Sequence, residues 1–166
     1  LQWMPIALQF FVPHLAEPFT ERVLSQQQES IVAIDPELPQ LTTDLPYLER
    51  ILTEWLHNAC KYTPTGEKII VTATTVGDRL ELCVSNSGVE IPRAACDRVF
   101  DKFYRVPNND PWKHGGTGLG LALVKKLTER LAGTIRVTSG NHHTTFILTF
   151  PFVPAAIGPA DTTLKG

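Results

Sequence analysis

The sequence reads Glu54-Trp55-Leu56-His57-Asn58-Ala59-Cys60-Lys61-Tyr62-Thr63-Pro64 near its middle. At about 100° per residue, the apolar side chains of this segment and of the residues before it fall on one face of a helix. They are Leu48, Ile51, Leu52, Trp55, Ala59 and Tyr62. Glu54, Asn58 and Lys61 share one flank of that face. Oxygen ligands at the margin of a core suit Mg²⁺, which takes few protein ligands besides waters and substrate phosphates. The pattern predicts either a metal-binding edge or an ordinary polar helix boundary.

A second informative stretch reads Gly115-Gly116-Thr117-Gly118-Leu119-Gly120-Leu121. Its glycines exclude a helix interior, since each would cost up to about 1 kcal/mol there. A helix is predicted directly afterwards, because leucines recur every four residues from Leu119 to Leu131 and Gly133 supplies a stop signal. Backbone N–H groups at such a helix start favour an anion. The stretch matches neither a P-loop nor a dinucleotide fingerprint, and it predicts a phosphate-binding loop or a flexible one.

Two further segments lie between these stretches, Val84-Ser85-Asn86-Ser87-Gly88-Val89-Glu90-Ile91-Pro92 and Phe100-Asp101-Lys102-Phe103-Tyr104-Arg105. In order and spacing, the four segments resemble the N, G1, F and G2 boxes of sensor histidine kinases. Those kinases belong to a wider ATP-binding superfamily that includes gyrase, the Hsp90 chaperones and MutL. The resemblance covers roughly residues 15 to 152, and its aromatic segment is specific to the kinase branch.

The resemblance assigns a role to individual residues. It implies that Asn58 ligates Mg²⁺, that Lys61 contacts the phosphates and that Tyr62 flanks the adenine. Asn86 would read the adenine amino group, and Arg105 would stabilise charge on the γ-phosphate. Glu54 is a further catalytic candidate, because a glutamate one turn before the asparagine activates water in the ATPase branches. The other residues that the resemblance assigns to nucleotide binding are Gly88, Ile91, Lys102, Tyr104, Thr117, Gly118, Leu119 and Gly120.

The second segment departs from the family pattern Asp-x-Gly-x-Gly, because it reads Asn86-Ser87-Gly88-Val89-Glu90. An amide oxygen still accepts a hydrogen bond from adenine, but without charge assistance, at a loss of about 1 kcal/mol. Glu90 in place of the second glycine is expected to add a negative charge near the phosphates. Both changes bear on ATP affinity more than on the fold.

Composition predicts one domain of an intracellular protein. With 166 residues, 43% of them hydrophobic, the chain can bury one substantial core. A formal net charge of −2 argues against nucleic acid as a partner. No stretch approaches the roughly 20 apolar residues of a membrane span, so we expect no direct membrane contact. The scattered Cys60, Cys83 and Cys96 indicate reduced thiols and a cytoplasmic location, bacterial by the resemblance.

The predicted fold is an α/β two-layer sandwich of the Bergerat ATP-binding type. A mixed five-stranded sheet would be covered on one face by three helices. The strands are predicted at 29–34, 68–76, 79–85, 134–139 and 144–150, and the helices at 13–28, from about Asp44, and after the glycine stretch. We expect residues 1–12 to be a linker from an upstream domain, 13–153 to form the catalytic domain with an ATP lid at about 87–117, and 154–166 to be a disordered tail.

The resemblance implies an ATP-binding kinase domain that transfers the γ-phosphoryl group to a histidine of a partner domain. That partner would be a dimerisation and histidine phosphotransfer domain, and the phosphoryl group would pass on to a response regulator. His14 lacks the acidic neighbour and the helical context of an acceptor histidine. Two other classes stay open: a degenerate module that binds nucleotide weakly or only contacts partners, and an ATPase that uses Glu54.

Overall fold

The computed structural model describes residues 1–102, 104 and 120–155. Its strands are β1 Trp3–Ile6, β2 Glu29–Ile34, β3 Leu41–Asp44, β4 Lys68–Val76, β5 Arg79–Ser87, β6 Thr134–Gly140 and β7 His143–Pro151. Its helices are α1 Leu8–Ala16, α2 Thr20–Ser25, α3 Leu45–Tyr62, α4 Arg93–Cys96 and α5 Gly120–Arg130, with a 3₁₀ turn at Glu17–Phe19. Within these residues, no helix is both long and apolar enough to cross a lipid bilayer.

The predicted five-stranded mixed sheet is confirmed, with the strand order β2-β4-β5-β7-β6. β2 runs parallel to β4, and the other neighbours are antiparallel. Gly77, at φ +63°, turns the chain between β4 and β5, as the sequence indicates for this hairpin. β1 and β3 form a small antiparallel sheet of their own that the sequence pattern did not reveal.

The core lies between one face of the sheet and α1, α3 and α5, which follow one another across it. On β5 every second residue is buried, with Leu80, Leu82 and Val84 on the covered face, as predicted. β7 contributes Leu148 and Phe150 in register with Leu82 and Leu80. Burial of large aliphatic and aromatic side chains stabilises the fold by about 1.5–3 kcal/mol for each of them.

Capping determines where α3 begins. The Asp44 side chain accepts a hydrogen bond from the Tyr47 amide at 3.0 Å, and Pro46 occupies the first turn, where its missing N–H costs nothing. The other carboxylate oxygen of Asp44 accepts from the Gln2 amide at 2.7 Å. One side chain therefore starts the helix and holds the first residues of the chain beside it.

The amino-terminal region differs from the prediction. A helix was expected over 13–28, but α1 begins at Leu8, and Pro18 separates it from α2 through the 3₁₀ turn. Residues 1–12, expected to be a linker, contain β1 and most of α1. Leu8 and Val12 are fully or nearly fully buried, and this burial offsets the cost of Pro13 inside the helix.

The way in which α5 ends also differs from the prediction. The helix stops where predicted, but the left-handed residue is Ala132, at φ +63°, and not Gly133. The Gly133 amide donates to Thr128 O at 2.9 Å and the Ala132 amide to Glu129 O at 3.1 Å, which is the Schellman pattern. Gly133 is required for space, since a Cβ there would lie 2.5 Å from the Phe150 ring.

We therefore expect adjacent substitutions to act differently. Gly133→Ala should lower the free energy of unfolding by about 1–3 kcal/mol, because the buried Phe150 ring must shift. Ala132→Gly should leave it within about 1 kcal/mol, since relief of the left-handed backbone offsets the added freedom of the unfolded chain. Chemical denaturation of both variants measures the difference. Equal effects would contradict the assigned roles.

Candidate functional site

The polar flank of α3 lies at the margin of the core, as predicted. Trp55 and Ala59 are 1% and 6% exposed and face the sheet, whereas Glu54, Asn58 and Lys61 are half-buried. The Asn58 amide makes no hydrogen bond within the described part of the chain. Its oxygen is thus available to a ligand, and its half-burial limits the competition from bulk water.

Lys61 and Tyr62 end the same helix. The Lys61 ammonium lies 5.5 Å from the centroid of the Tyr62 ring, which is within cation–π range. The pair places a positive charge and an aromatic surface one turn beyond Asn58. Such a combination suits a ligand that carries both phosphate and a planar base.

The start of α5 meets α3 at Glu54. A Cβ on Gly120 would lie 3.4 Å from Glu54 Oε2, and Arg50 holds the same carboxylate at 3.2 Å. The first residue of α5 therefore approaches the polar flank of α3. Arg105, Thr117, Gly118 and Leu119 lie outside the described residues.

Asn86 ends the buried face of β5, two residues after Val84. It pairs in register with Ile69 on β4 and with Thr144 on β7, and it is 6% exposed. No hydrogen bond holds its side-chain amide among the described residues. The amide is not among the fully buried, unpaired polar groups of the described residues, so it stays accessible and is available to a ligand.

The turn after β5 is tied to the β6–β7 turn. The Gly88 amide donates to His142 O at 2.7 Å, and Glu90 Oε1 accepts from the His142 amide at 2.9 Å. Asn141 and His142 both have left-handed backbones, at φ +53° and +61°, and form the hairpin turn. The carboxylate of Glu90 therefore caps that turn. The expectation that it adds charge near the phosphates stays a prediction.

The hydroxyl groups of Ser139 and Thr144 also connect the turn after β5 to the β6–β7 hairpin. The Ile91 amide donates to Ser139 Oγ at 2.8 Å, and Thr144 Oγ1 donates to Val89 O at 2.8 Å. The two hydroxyl oxygens lie 2.9 Å apart and hydrogen-bond each other. Sequence reasoning missed Ser139 and Thr144. The available signal was their inward position, one on each strand of the second hairpin.

Gly88 is the position in this turn that needs a glycine. Its φ is +75°, and a Cβ there would lie 2.6 Å from Glu67 Cγ. Glu67 is held in place because Ser87 Oγ donates to its Oε2 at 2.6 Å. Both backbone conformation and space therefore exclude a side chain at Gly88.

An aromatic contact anchors the segment that follows α4. The Phe100 ring packs edge-on against Phe146 at 6.0 Å, and Phe146 packs in the same way against Trp55 at 6.1 Å. Tyr104 lies under the Arg98 guanidinium at 4.5 Å. Lys102 is exposed. Of the described part of the aromatic box, Phe100 is therefore the residue that packs on the core beside α3.

Burial raises the pKa of the Cys60 thiol above its ordinary value, with the nearby Arg22 charge opposing the shift. Burial also raises the pKa of Cys83, on the open face of the sheet. Both thiols are consequently protonated at neutral pH and are weak nucleophiles. Within the described ranges, His, Cys, Asp and Glu form no metal-binding cluster of three.

The profile of a family described as histidine kinase-, DNA gyrase B- and HSP90-like ATPases matches residues 43–154. The sensor histidine kinase CusS of Escherichia coli (strain K12) is 41% identical over 112 residues, which cover 68% of this chain and 23% of CusS. The chain therefore spans about a quarter of that relative's length.

Solved structures share the fold. The catalytic domain of histidine kinase ThkA superposes with a TM-score of 0.80 at 21% identity, over 93% of this chain and 99% of that domain. Full-length ShkA in complex with AMPPNP gives 0.81 at 25% identity, over 93% of this chain and 32% of ShkA. ThkA in complex with the response regulator protein TrrA gives 0.77 at 21% identity, over 92% and 42%.

The connection between the two turns can be tested at Ser139. Ser139→Ala removes the acceptor of the Ile91 amide and should speed its hydrogen exchange about three- to tenfold, as expected for a hydrogen bond of about 1 kcal/mol. Thr138→Ala is the matched control, because Thr138 is exposed and its hydroxyl has no partner in the described ranges. An unchanged Ile91 amide in Ser139→Ala would show that Ser139 does not hold the turn.

Proposed function

Since the chain belongs to the histidine kinase-, DNA gyrase B- and HSP90-like ATPase family, we propose that it is the ATP-binding catalytic domain of a sensor histidine kinase. It transfers the γ-phosphoryl group of Mg-ATP to a histidine on a partner domain, in two-component signalling. The observation that carries the proposal is the side-chain amide of Asn86, which has no partner among the described residues and lies on the same side of the sheet as α3.

The residues around Asn86 suit a nucleotide. The base would meet the amide of Asn86, with Tyr62 along its edge. The phosphates would extend toward Lys61 and the amino terminus of α5, where backbone N–H groups and the helix dipole favour negative charge. The contact between Gly120 and Glu54 supports this, because it draws that helix end to the polar flank of α3.

Mg²⁺ fits the donor set at α3. Asn58 offers one amide oxygen free of protein partners in the described chain, and Mg²⁺ commonly takes one or two protein oxygens and completes its shell with water and phosphates. The ion, when bound, neutralises charge on the phosphates. Asn58 would hold the ion beside the phosphates, and Lys61 would add a second positive charge there.

Phosphoryl transfer asks mainly for positioning and charge neutralisation, so no covalent residue is required. Arg105 is our candidate for stabilising charge on the γ-phosphate. By the family resemblance, the other candidates for nucleotide contacts are Gly88, Ile91, Lys102, Tyr104, Thr117, Gly118 and Leu119. Glu54 pairs with Arg50 and lies beside Gly120, which supports an anchoring role for it. The ATPase alternative would need this carboxylate to activate water.

The partners follow from the relatives. CusS is a sensor histidine kinase, and ThkA was crystallised with the response regulator TrrA. We therefore propose a histidine-bearing dimerisation and phosphotransfer domain as acceptor and a response regulator downstream, in the bacterial cytoplasm. The alternative of a degenerate binding module draws on the departures at Asn86 and Glu90, of which Glu90 has a contact in the β6–β7 turn.

The role of Asn58 predicts a magnesium effect. In Asn58→Ala the gain in ATP affinity on adding Mg²⁺ should fall about tenfold, equivalent to roughly 1.4 kcal/mol. Isothermal titration with and without Mg²⁺ measures it. Glu49→Ala is the control, since Glu49 is exposed on the opposite side of α3. An equal magnesium effect in all three proteins would remove Asn58 from the metal role.

Transfer to histidine tests the function itself. With labelled Mg-ATP the chain alone should gain no acid-labile phosphate, because His14 does not have the features of an acceptor. Adding its histidine-bearing acceptor domain in trans should give acid-labile label on that domain. Stable label on the chain would contradict the assignment. Free phosphate released at the same rate with and without acceptor would favour the ATPase alternative.

A further inference from the structure

Asn86 differs from the aspartate of the family pattern in what it can offer a base. An ionised carboxylate only accepts hydrogen bonds, whereas an amide has an acceptor oxygen and a donor NH₂ group. Adenine presents a donor at N6 and an acceptor at N1. A 6-oxopurine such as hypoxanthine or guanine presents the reverse, an acceptor at O6 and a donor at N1.

The backbone of Asn86 is fixed by its neighbours, whereas its side-chain amide can take either of two orientations. The pairs with Ile69 and Thr144 fix the strand on both sides, and the adjoining turn is tied to the β6–β7 hairpin through Gly88 and Glu90. No protein group among the described residues hydrogen-bonds the amide, so none selects between its two orientations. A rotation of about 180° about the terminal torsion, which is a roughly two-fold one, exchanges donor and acceptor.

We propose that this site accepts 6-oxopurine nucleotides as well as adenine nucleotides, with Asn86 as the residue that sets the specificity. The inference rests on the proposed nucleotide-binding function. With adenine, Asn86 Oδ1 accepts from N6 and Nδ2 donates to N1. With a 6-oxopurine, Nδ2 donates to O6 and Oδ1 accepts from N1–H. Each pairing satisfies both polar groups of the amide.

An aspartate at the same place would discriminate between adenine and 6-oxopurines. The carboxylate oxygen that accepts from N6 of adenine would face O6 of a 6-oxopurine, so two acceptors would meet at position 6 without a proton between them. Sites built to hydrogen-bond one pattern reject the other strongly, because buried groups are left unpaired. Replacing the carboxylate by an amide removes that rejection while it keeps the acceptor that adenine needs.

Inosine triphosphate is the appropriate probe. It carries O6 and N1–H but lacks the 2-amino group of guanine, so its binding reports on the reading of position 6 alone. Isothermal titration with Mg-ATP, Mg-ITP, Mg-GTP and Mg-CTP is made on the wild type and on Asn86→Asp. We expect ITP within about tenfold of ATP in the wild type, and CTP weaker than both. In Asn86→Asp, ATP should bind several-fold more tightly and ITP at least about tenfold more weakly.

The outcomes separate this inference from the proposed function. ATP binding with ITP more than about tenfold weaker in the wild type overturns the inference and leaves the function standing. Absence of binding by all four nucleotides overturns both. An ITP-to-ATP ratio that Asn86→Asp leaves unchanged also overturns the inference, since Asn86 would then not face the base. Weaker binding of GTP than of ITP supports the inference and indicates that the site excludes the 2-amino group of guanine.

A second variant guards against a folding defect. Asn86→Ala removes both polar groups and should weaken ATP and ITP by the same factor. Circular dichroism confirms that each variant is folded before titration. Unchanged affinities for both nucleotides in a folded Asn86→Ala would overturn the inference.

Discussion

Burial of Trp55 sets the rotation of α3, and the rest of the site depends on that rotation. The indole is 1% exposed and packs edge-on against Phe146 of β7. Because residues three and four apart share a helix face, fixing Trp55 against the sheet places Glu54 and Asn58 at the margin. The same Phe146 ring receives Phe100, so one aromatic contact positions both the helix and the segment beyond α4.

The other half of the site depends on hydrogen bonds and not on apolar packing. β5 carries Asn86 out to the edge of the core, and the turn after it would be an irregular loop if it stood alone. Gly88, Glu90 and Ile91 instead share their hydrogen bonds with the β6–β7 hairpin. The turn thereby becomes part of the sheet's framework, which fixes the backbone beside Asn86.

The periodicity of apolar residues was sufficient to predict the central strands and α3, because the burial of these elements follows directly from the spacing of those residues. Leu80, Leu82 and Val84 alternate, and the apolar residues of α3 recur at helical spacing, so the sheet and this helix were predictable. The amino-terminal region was not, since the burial of Leu8 and Val12 depends on contacts with distant residues and overrides the proline signal. The Schellman end of α5 was misread for a similar reason, because the Phe150 ring that requires Gly133 lies on another strand.

Within the candidate site, the motifs singled out Asn58, Lys61 and Asn86 as candidates but did not reveal the contact that Glu90 makes. A sequence gives the charge of a side chain and not the direction in which it points. The partner of Glu90 is a backbone amide in the second hairpin, and no residue type reports it. Ser139 and Thr144 were not predicted for the same reason. Hydroxyl groups are common in strands, and only the strand register shows which groups they contact.

The strand order also has a consequence for how the chain is made. β7, the final strand of the sheet to be synthesised, lies inside it between β5 and β6, and β2 pairs with β4 only after α3 has been enclosed. Non-local pairings of this kind form slowly and leave strand edges exposed in the meantime. A nascent chain released before His143 would lack β7, which lies between β5 and β6, and would be a substrate for chaperones or proteases. Production of this domain therefore depends on an intact carboxyl-terminal hairpin, although the nucleotide motifs all precede it.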